Sequence, residues 1–170
     1  MSTVQRFKAG IVGCGDRSLG GYFPFVNQVY DLVATCDEIE ERAKQTARIF
    51  EADAYYADID TMLAKSDVDI VIILTNMASH GELALKSVQA GKHVMLQKPF
   101  CTDMETGLEV IRIAREKNLM AACTQFLGHF DHAGNVGQHP AVGEKDHFQS
   151  EACPSSTLAV TKGLSSVAST

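Results

Sequence analysis

The chain has 170 residues, of which 45% are hydrophobic and 21% charged, and its formal net charge is −6. This length suits one domain with a substantial core, and the negative charge argues against a nucleic-acid-binding surface. No apolar run is long enough to cross a membrane, and the first ten residues lack the apolar stretch of a signal peptide. The five cysteines form no C-x-x-C pair, so we expect a protein of the reducing cytoplasm.

Strand and helix patterns alternate up to about residue 126. We predict strands at 7–12, 32–36, 54–56, 70–74, 93–96 and 120–124. We predict helices at 19–29, 40–50, 59–64, 79–90 and 103–117. The run 70–74 is continuously apolar, which is typical of a central parallel strand covered on both faces. The alternation predicts an α/β fold, a doubly wound and mostly parallel sheet.

Three of the predicted helices carry local signals. Pro24 falls inside the first helix, which should therefore start late or carry a kink. Gly91 is a natural C-cap for the fourth helix. Either Thr102 or Asp103 can cap the first turn of the fifth. The apolar residues expected to form a buried stripe on that fifth helix are Leu108, Ile111 and Ala114.

The pattern changes after residue 127, which divides the chain into a domain at 1–127 and a tail at 128–170. The tail is rich in Gly, Ser, Thr, Ala and His, and we predict that it is irregular or disordered apart from a short apolar run at 158–160. Four of the six histidines lie there, at spacings of 3, 7 and 8 residues that fit no standard metal site. We therefore predict no bound metal. These histidines are His129, His132, His139 and His147.

A glycine loop follows the first predicted strand, in the sequence FKAGIVGCGDRS at residues 7–18. Gly13 permits a tight turn, and Gly15 leaves room for a phosphate to approach the backbone. The next helix would direct its free N–H groups toward that anion. Ser18 replaces the third glycine of the usual pattern, so the motif alone is a weak signal for dinucleotide binding.

An acidic residue stands where such a motif requires one. Asp37 ends the second predicted strand, 22 residues after Gly15, and its carboxylate could accept hydrogen bonds from the hydroxyls of an adenosine ribose. With Glu38 beside it, this charge would repel a 2′-phosphate and favour NAD over NADP. The two carboxylates could instead cap the following helix. The glycine loop at this spacing favours the ribose role.

Two further segments carry a family resemblance. The fourth strand runs into LTNMASH at residues 74–80, and the fifth lies within AGKHVMLQKP at 90–99. These segments resemble the N-terminal domain of the glucose–fructose oxidoreductase / inositol dehydrogenase (Gfo/Idh/MocA) family, over about residues 6–126. The second segment is the more specific, with Gln97 in place of the family's glutamate. The family's substrate domain has no counterpart in this sequence.

The resemblance implies roles for particular residues. Lys98 would be the catalytic lysine, bonding a substrate hydroxyl and exchanging a proton with it. The resemblance also implies a cis peptide between Lys98 and Pro99. Residues implied to bind the cofactor are Gly13, Gly15, Arg17 and Ser18 at the pyrophosphate, Asp37 at the ribose, Thr75, Asn76 and His80 near the nicotinamide, and Gln97, which can keep a hydrogen bond to the cofactor.

Considered without the resemblance, several of these residues have ordinary structural explanations. An exposed lysine such as Lys98 is usually a solvated surface residue. His80 at the start of a helix is as readily a structural histidine as a cofactor contact, and His93 inside a strand is expected to be structural.

The expected function is therefore that of an NAD(P)-dependent oxidoreductase of this family, with NAD the favoured cofactor. It would transfer hydride to or from a sugar, a polyol or a related hydroxyl compound, without a substrate domain in this chain. The alternatives are a non-catalytic dinucleotide-binding module and a truncated, inactive product. The expected partner is a small-molecule substrate, not nucleic acid or membrane, and the sequence leaves a homo-oligomer open.

Overall fold

Seven strands form one sheet in the computed structural model, which describes residues 6–124 and 157–159. The strands are β1 (Lys8–Val12), β2 (Asp31–Cys36), β3 (Ala54–Tyr56), β4 (Ile70–Ile73), β5 (His93–Gln97), β6 (Ala121–Thr124) and β7 (Thr157–Ala159). All six predicted strands are confirmed, and their observed ends differ from the predicted ends by no more than one residue.

Six α-helices connect these strands within the described residues. They are α1 (Asp16–Gly21), α2 (Phe23–Val29), α3 (Glu40–Phe50), α4 (Ile59–Lys65), α5 (His80–Gln89) and α6 (Met104–Glu116). A single 3₁₀ turn at Met77–Ser79 leads directly into α5. The C-cap of the fourth predicted helix, α5, is Ala90 and not the predicted Gly91. Gly91 is the next residue and takes a left-handed φ of +76°.

The strand order is β3-β2-β1-β4-β5-β6-β7. The first six strands pair in parallel, and β7 is antiparallel to β6. From β1 the chain winds outward to β3, then crosses to β4 and winds outward in the opposite direction. This confirms the predicted doubly wound fold, with a change of winding direction between β1 and β4. Ligands of such sheets bind in the crevice at the carboxyl ends of the strands flanking that point.

Only three residues of the segment 128–170 are described. Thr157–Ala159 forms β7 and overlaps the predicted apolar run at 158–160. The predicted boundary at residue 127 and the predicted irregular character of the remaining tail lie outside the described residues.

Each face of the sheet has its own apolar core, because successive strand residues point to opposite faces. On one face, Ile11 and Ile72 pack with residues of α2 and α3, including Phe23. On the other, Val12 and Ile73 pack with residues of α4, α5 and α6. Every residue of β4 is consequently buried, which explains its unbroken apolar sequence.

The first predicted helix is two helices in the structure. Tyr22 separates α1 from α2, and Pro24 lies in the first turn of α2, where the missing proline N–H removes no helical hydrogen bond. The predicted interruption is thus confirmed. The predicted late start is wrong, because α1 begins at Asp16, directly after the glycine loop.

Helix α6 begins as predicted but buries a different stripe. Asp103 is its N-cap, and its carboxylate accepts a hydrogen bond of 2.7 Å from the N–H of Thr106. The predicted stripe is wrong at Leu108, which is 59% exposed. A helical period leaves the angular position of the stripe undetermined until a packing partner is present. The buried residues are Gly107, Val110, Ile113 and Ala114.

None of the helices in the part of the chain that the structure describes is both long and apolar enough to cross a membrane.

Candidate functional site

The predicted site residues come together at one edge of the sheet. Parallel strands end at the same edge, so β1, β2, β4 and β5 bring the glycine loop, Asp37, Thr75 and Lys98 to the carboxyl side of the sheet. These positions are separated by up to 85 residues in sequence (13 to 98). The change of winding direction lies between two of these strands, β1 and β4.

Gly13 makes the turn after β1 and lies against β4. Its φ is +101°, which side chains rarely allow. A Cβ at this position would lie 2.8 Å from the backbone carbon and oxygen of Leu74. The Gly13 N–H donates to the carbonyl of Cys36, at 2.8 Å. Both the backbone conformation and the close packing therefore require a glycine here.

Gly15 has open space around it instead. A Cβ on Gly15 would meet no atom within 4 Å, and its φ of −78° is ordinary. The residue is the N-cap of α1, and its carbonyl accepts the N–H groups of Ser18 and Leu19. The uncovered backbone at Gly15 is suited to the close approach of a ligand.

The remaining residues of the glycine motif lie in the first turn of α1. The Ser18 side chain is buried and its hydroxyl donates to the carbonyl of Leu74, at 3.3 Å, so it ties α1 to the end of β4. Arg17 belongs to the same turn. The roles of both residues at a pyrophosphate stay predictions.

Asp37 ties the second strand to the glycine loop. One carboxylate oxygen accepts the N–H of Cys14 at 2.8 Å, and the other accepts the N–H of Ile39 at 2.9 Å. The N-cap of α3 is Ile39, not Asp37. A carboxylate offers about four acceptor positions, so two positions stay available after these two bonds. The arrangement therefore places a negative charge beside the loop and leaves it able to accept further hydrogen bonds.

Two buried thiols lie beneath this loop. The Cys14 thiol donates to the carbonyl of Cys36, at 3.6 Å. Burial raises the pKa of Cys14 to about 11 and that of Cys36 to about 12. Both cysteines stay protonated at neutral pH, so they act as small packing residues and not as nucleophiles.

A short polar network occupies the end of β4. The Asn76 side chain accepts the N–H of Ala78, at 3.1 Å, and caps the 3₁₀ turn. The Ser79 hydroxyl donates to the hydroxyl of Thr75, at 2.8 Å. Ser79 is not among the predicted site residues, although a hydroxyl at the predicted start of a helix, four residues after Thr75, could have indicated this contact.

His80 is fully buried at the first position of α5. Its Nδ1 lies 2.7 Å from the carbonyl oxygen of Pro99, and its Nε2 lies 3.3 Å from that of Thr75. Both ring nitrogens therefore already face backbone groups. A contact between His80 and a cofactor stays a prediction.

The end of β5 carries the predicted catalytic lysine. Lys98 is exposed, and its N–H donates to the carbonyl of Thr124, at 3.2 Å. The cis peptide predicted between Lys98 and Pro99 is observed. Gln97 is half-buried as the last residue of β5. Burial raises the pKa of the neighbouring Cys123 thiol, and the positive charge of Lys98 partly offsets that rise.

No group of three or more His, Cys, Asp or Glu side chains suited to a metal ion occurs within 6–124 and 157–159. The four tail histidines considered above lie outside these ranges.

A comparison with protein-family models decides the classification. Residues 7–125 match the model of the Gfo/Idh/MocA oxidoreductase family, described as an NAD-binding Rossmann fold. The chain belongs to this family. The resemblance drawn from the segments at 74–80 and 90–99 is thereby confirmed, and residues 7–125 form its NAD(P)-binding Rossmann domain.

Relatives of this family member include sugar-modifying enzymes. D-apiose dehydrogenase of Paraburkholderia graminis is 31% identical over 123 residues, which are 72% of this chain and 30% of that protein. A crystal structure of the WlbA dehydrogenase of Chromobacterium violaceum, in complex with NADH and UDP-GlcNAcA, has a TM-score of 0.64 and 28% identity. It covers 73% of this chain and 36% of that one.

A third similar structure is KijD10, a 3-ketoreductase of Actinomadura kijaniata, in complex with NADP. Its TM-score is 0.64 with 24% identity, over 71% of this chain and 38% of that one, and it supports the fold alone. The family member described here thus spans about a third of the length of these relatives.

Proposed function

We propose that this chain is the cofactor-binding part of an NAD-dependent oxidoreductase acting on a sugar, a polyol or a related hydroxyl compound. One observation carries the proposal. The uncovered Gly15 backbone, the Asp37 carboxylate and Lys98 lie along the same edge of the sheet, after β1, β2 and β5, and the winding direction changes between β1 and β4. Membership of the family and the sugar-modifying relatives support the reaction class.

The residues at this edge fit a dinucleotide. Gly15 and the first turn of α1, with Arg17 and Ser18, would hold the pyrophosphate, since the loop offers backbone N–H groups and no obstructing Cβ. The Asp37 carboxylate would accept hydrogen bonds from the ribose hydroxyls at its two remaining acceptor positions. Thr75, Asn76, His80 and Gln97 would lie toward the nicotinamide half, as polar residues at the ends of β4 and β5.

Lys98 is the proposed catalytic residue. The cofactor, when bound, supplies the acceptor or donor of hydride. The exposed Lys98 amine would bond the substrate hydroxyl and take its proton in oxidation, or return that proton to the carbonyl oxygen in reduction. The backbone N–H of Lys98 donates to the carbonyl of Thr124 on β6, so this hydrogen bond fixes the backbone from which the amine extends.

The charge beside the loop supports NAD over NADP. Asp37 lies at the end of β2 with Glu38 exposed next to it, and two carboxylates would repel a 2′-phosphate. Similar structures hold NADH in one case and NADP in another, so the preference rests on these residues of the chain itself.

The test is a titration of the purified chain with NADH and NADPH, followed by calorimetry. We expect saturable binding with NADH the tighter ligand, and Asp37→Ala should weaken NADH about tenfold or more through loss of charge-assisted hydrogen bonds. Asp53→Ala is the matched control, because it removes an exposed carboxylate just before β3, at the opposite edge. Tighter NADPH binding, or no binding by folded protein, would contradict the proposal.

A second candidate is a dinucleotide-binding module without catalysis. Gln97 favours it, because the resemblance implies a glutamate there, and an amide supplies no charge beside Lys98. A screen of sugars and polyols with bound cofactor separates the two candidates. Turnover that Lys98→Ala abolishes and Lys65→Ala retains would support catalysis, whereas cofactor binding without any turnover would support the module.

A further inference from the structure

His80 joins two loops of the proposed site from beneath. Its ring is fully buried, and it contacts the carbonyl oxygens of Thr75, after β4, and of Pro99, after β5. Asn76 follows the first of these residues, and Lys98 precedes the second. Each carbonyl is therefore one residue away from a group assigned to the nicotinamide side of the site.

The two contacts differ in strength. A carbonyl oxygen only accepts hydrogen bonds, so the ring must present an N–H to it. The 2.7 Å contact to Pro99 is short, which favours the tautomer with the proton on Nδ1, whereas the contact to Thr75 is 3.3 Å. The bond to Pro99 is thus the stronger of the two, and it links α5 to the segment that carries Lys98.

The neighbouring residue allows this close packing. A Cβ on Gly81 would lie 3.0 Å from Cγ2 of Thr106 and 3.4 Å from the sulfur of Cys101. The first turn of α5 is therefore pressed against the segment that runs from β5 into α6. His80 and Gly81 together form the surface on which that segment lies.

We propose that His80 is a positioning residue, which sets the placement of Lys98 and of the β4 loop relative to the nicotinamide half of the cofactor. The inference rests on the proposed function. It differs from a purely structural role, because a buried histidine that only stabilised the fold would affect both halves of the dinucleotide alike.

The experiment compares NADH with ADP-ribose, which lacks the nicotinamide ring. Dissociation constants for both ligands are measured by calorimetry for the wild-type chain, His80→Asn and His80→Gln. The amide of asparagine reaches the position of Nδ1, and that of glutamine the position of Nε2. We expect His80→Gln to weaken NADH about tenfold, as for one lost buried hydrogen bond, with ADP-ribose unchanged and His80→Asn closer to wild type.

His93→Asn is the matched control, because His93, which is partly buried, also has a backbone partner but lies at the start of β5, at the opposite edge. Selective loss of NADH affinity in at least one His80 variant, with none in the control, supports the proposal. Equal weakening of both ligands, or no change in either, overturns it. If the wild-type chain binds neither ligand, the proposed function itself fails.

A measurement on the wild-type chain covers the case in which the His80 variants do not fold. With ¹⁵N-labelled histidine, the ring resonances of His80 report its tautomer and its hydrogen bonds. We expect NADH to shift them and ADP-ribose to leave them in place. Identical spectra with the two ligands would overturn the positioning role while leaving cofactor binding established.

Discussion

Gly13 and Gly15 are both glycines of the same motif, but their surroundings in the structure differ. At Gly13 the positive φ and the nearby backbone of Leu74 demand a glycine for folding. At Gly15 the fold makes no such demand, and a Cβ there would meet no atom within 4 Å. Gly13 is therefore needed for the loop to fold, whereas the role proposed for Gly15 is in cofactor binding.

This difference predicts opposite effects of the same substitution. Gly13→Ala should lower the free energy of unfolding by about 2–4 kcal/mol, because it combines a left-handed backbone with a clash against backbone atoms. Gly15→Ala should change stability little and weaken NADH binding strongly. Urea unfolding and NADH titration of both variants check this. Equal stabilities would contradict the structural reading of Gly13.

His93 carries a pH dependence of stability. Its Nδ1 accepts the N–H of Met120 at 2.9 Å, which requires the unprotonated ring, and burial lowers the pKa of His93 from its ordinary 6.5. The unfolded chain then binds the proton more readily than the folded chain. The contribution of unprotonated His93 to the free energy of unfolding should thus be fully present above about pH 6.5. It should decline as the pH falls from there to the pKa of His93 in the folded chain.

Thermal unfolding between pH 5 and 7.5 measures this effect. His93→Asn keeps an acceptor near the Met120 N–H but does not titrate, so its unfolding midpoint should vary less with pH than that of the wild-type chain. Parallel curves for the two proteins would exclude His93 as the titrating group.

Among the elements, the N-terminus of α6 fixes the chain next to the proposed catalytic lysine. The segment that carries Lys98 leads into α6, whose first turn is fixed by Asp103. Asp103 accepts hydrogen bonds from the side chain and from the backbone N–H of Thr106, and these bonds hold the pKa of Asp103 below its ordinary range. Its stabilising effect is therefore present above pH 3.8 and is lost as the pH falls through the folded pKa.

Asp103→Ala should lower the thermal unfolding midpoint by roughly 2–4 °C, since an unmade cap leaves the N–H of Thr106 without its acceptor. Asp103→Asn is the control, because its side-chain oxygen can accept the same hydrogen bond without the charge. Differential scanning calorimetry at pH 7 gives both values. A midpoint as low for Asp103→Asn as for Asp103→Ala would show that charge, not the hydrogen bond, stabilises the helix.

At the scale of the whole molecule, cofactor binding and folding are linked. A ligand that binds only the folded chain stabilises it by about 2.7 kcal/mol at 100 times its dissociation constant. NADH at that excess should therefore raise the thermal unfolding midpoint, whereas at the same NADH concentration Asp37→Ala should show a smaller rise. Thermal scans with and without NADH measure both. An equal rise in the two proteins would remove Asp37 from the proposed site.

The strands, most of the helices and the glycine loop could be predicted from the amino-acid sequence alone. These depend on local properties: the apolar run of β4, a capping side chain at Thr102 or Asp103, the conformational freedom of Gly13 and the chain-breaking effect of Pro24. Each of these properties depends on residues that are close to one another in the sequence. The family segments at 74–80 and 90–99 added the cis peptide before Pro99, which local propensity alone would not have predicted.

Which groups come into contact depends on how distant parts of the chain pack together. The carboxylate of Asp37 reaches the N–H of Cys14 because β1 and β2 are parallel neighbours, and His80 reaches Pro99 because β4 and β5 are. Likewise, Leu108 is exposed because the packing against α6 selects another stripe. Such contacts depend on strand order and helix rotation, which are set by the burial of distant surfaces and leave no local pattern in the chain.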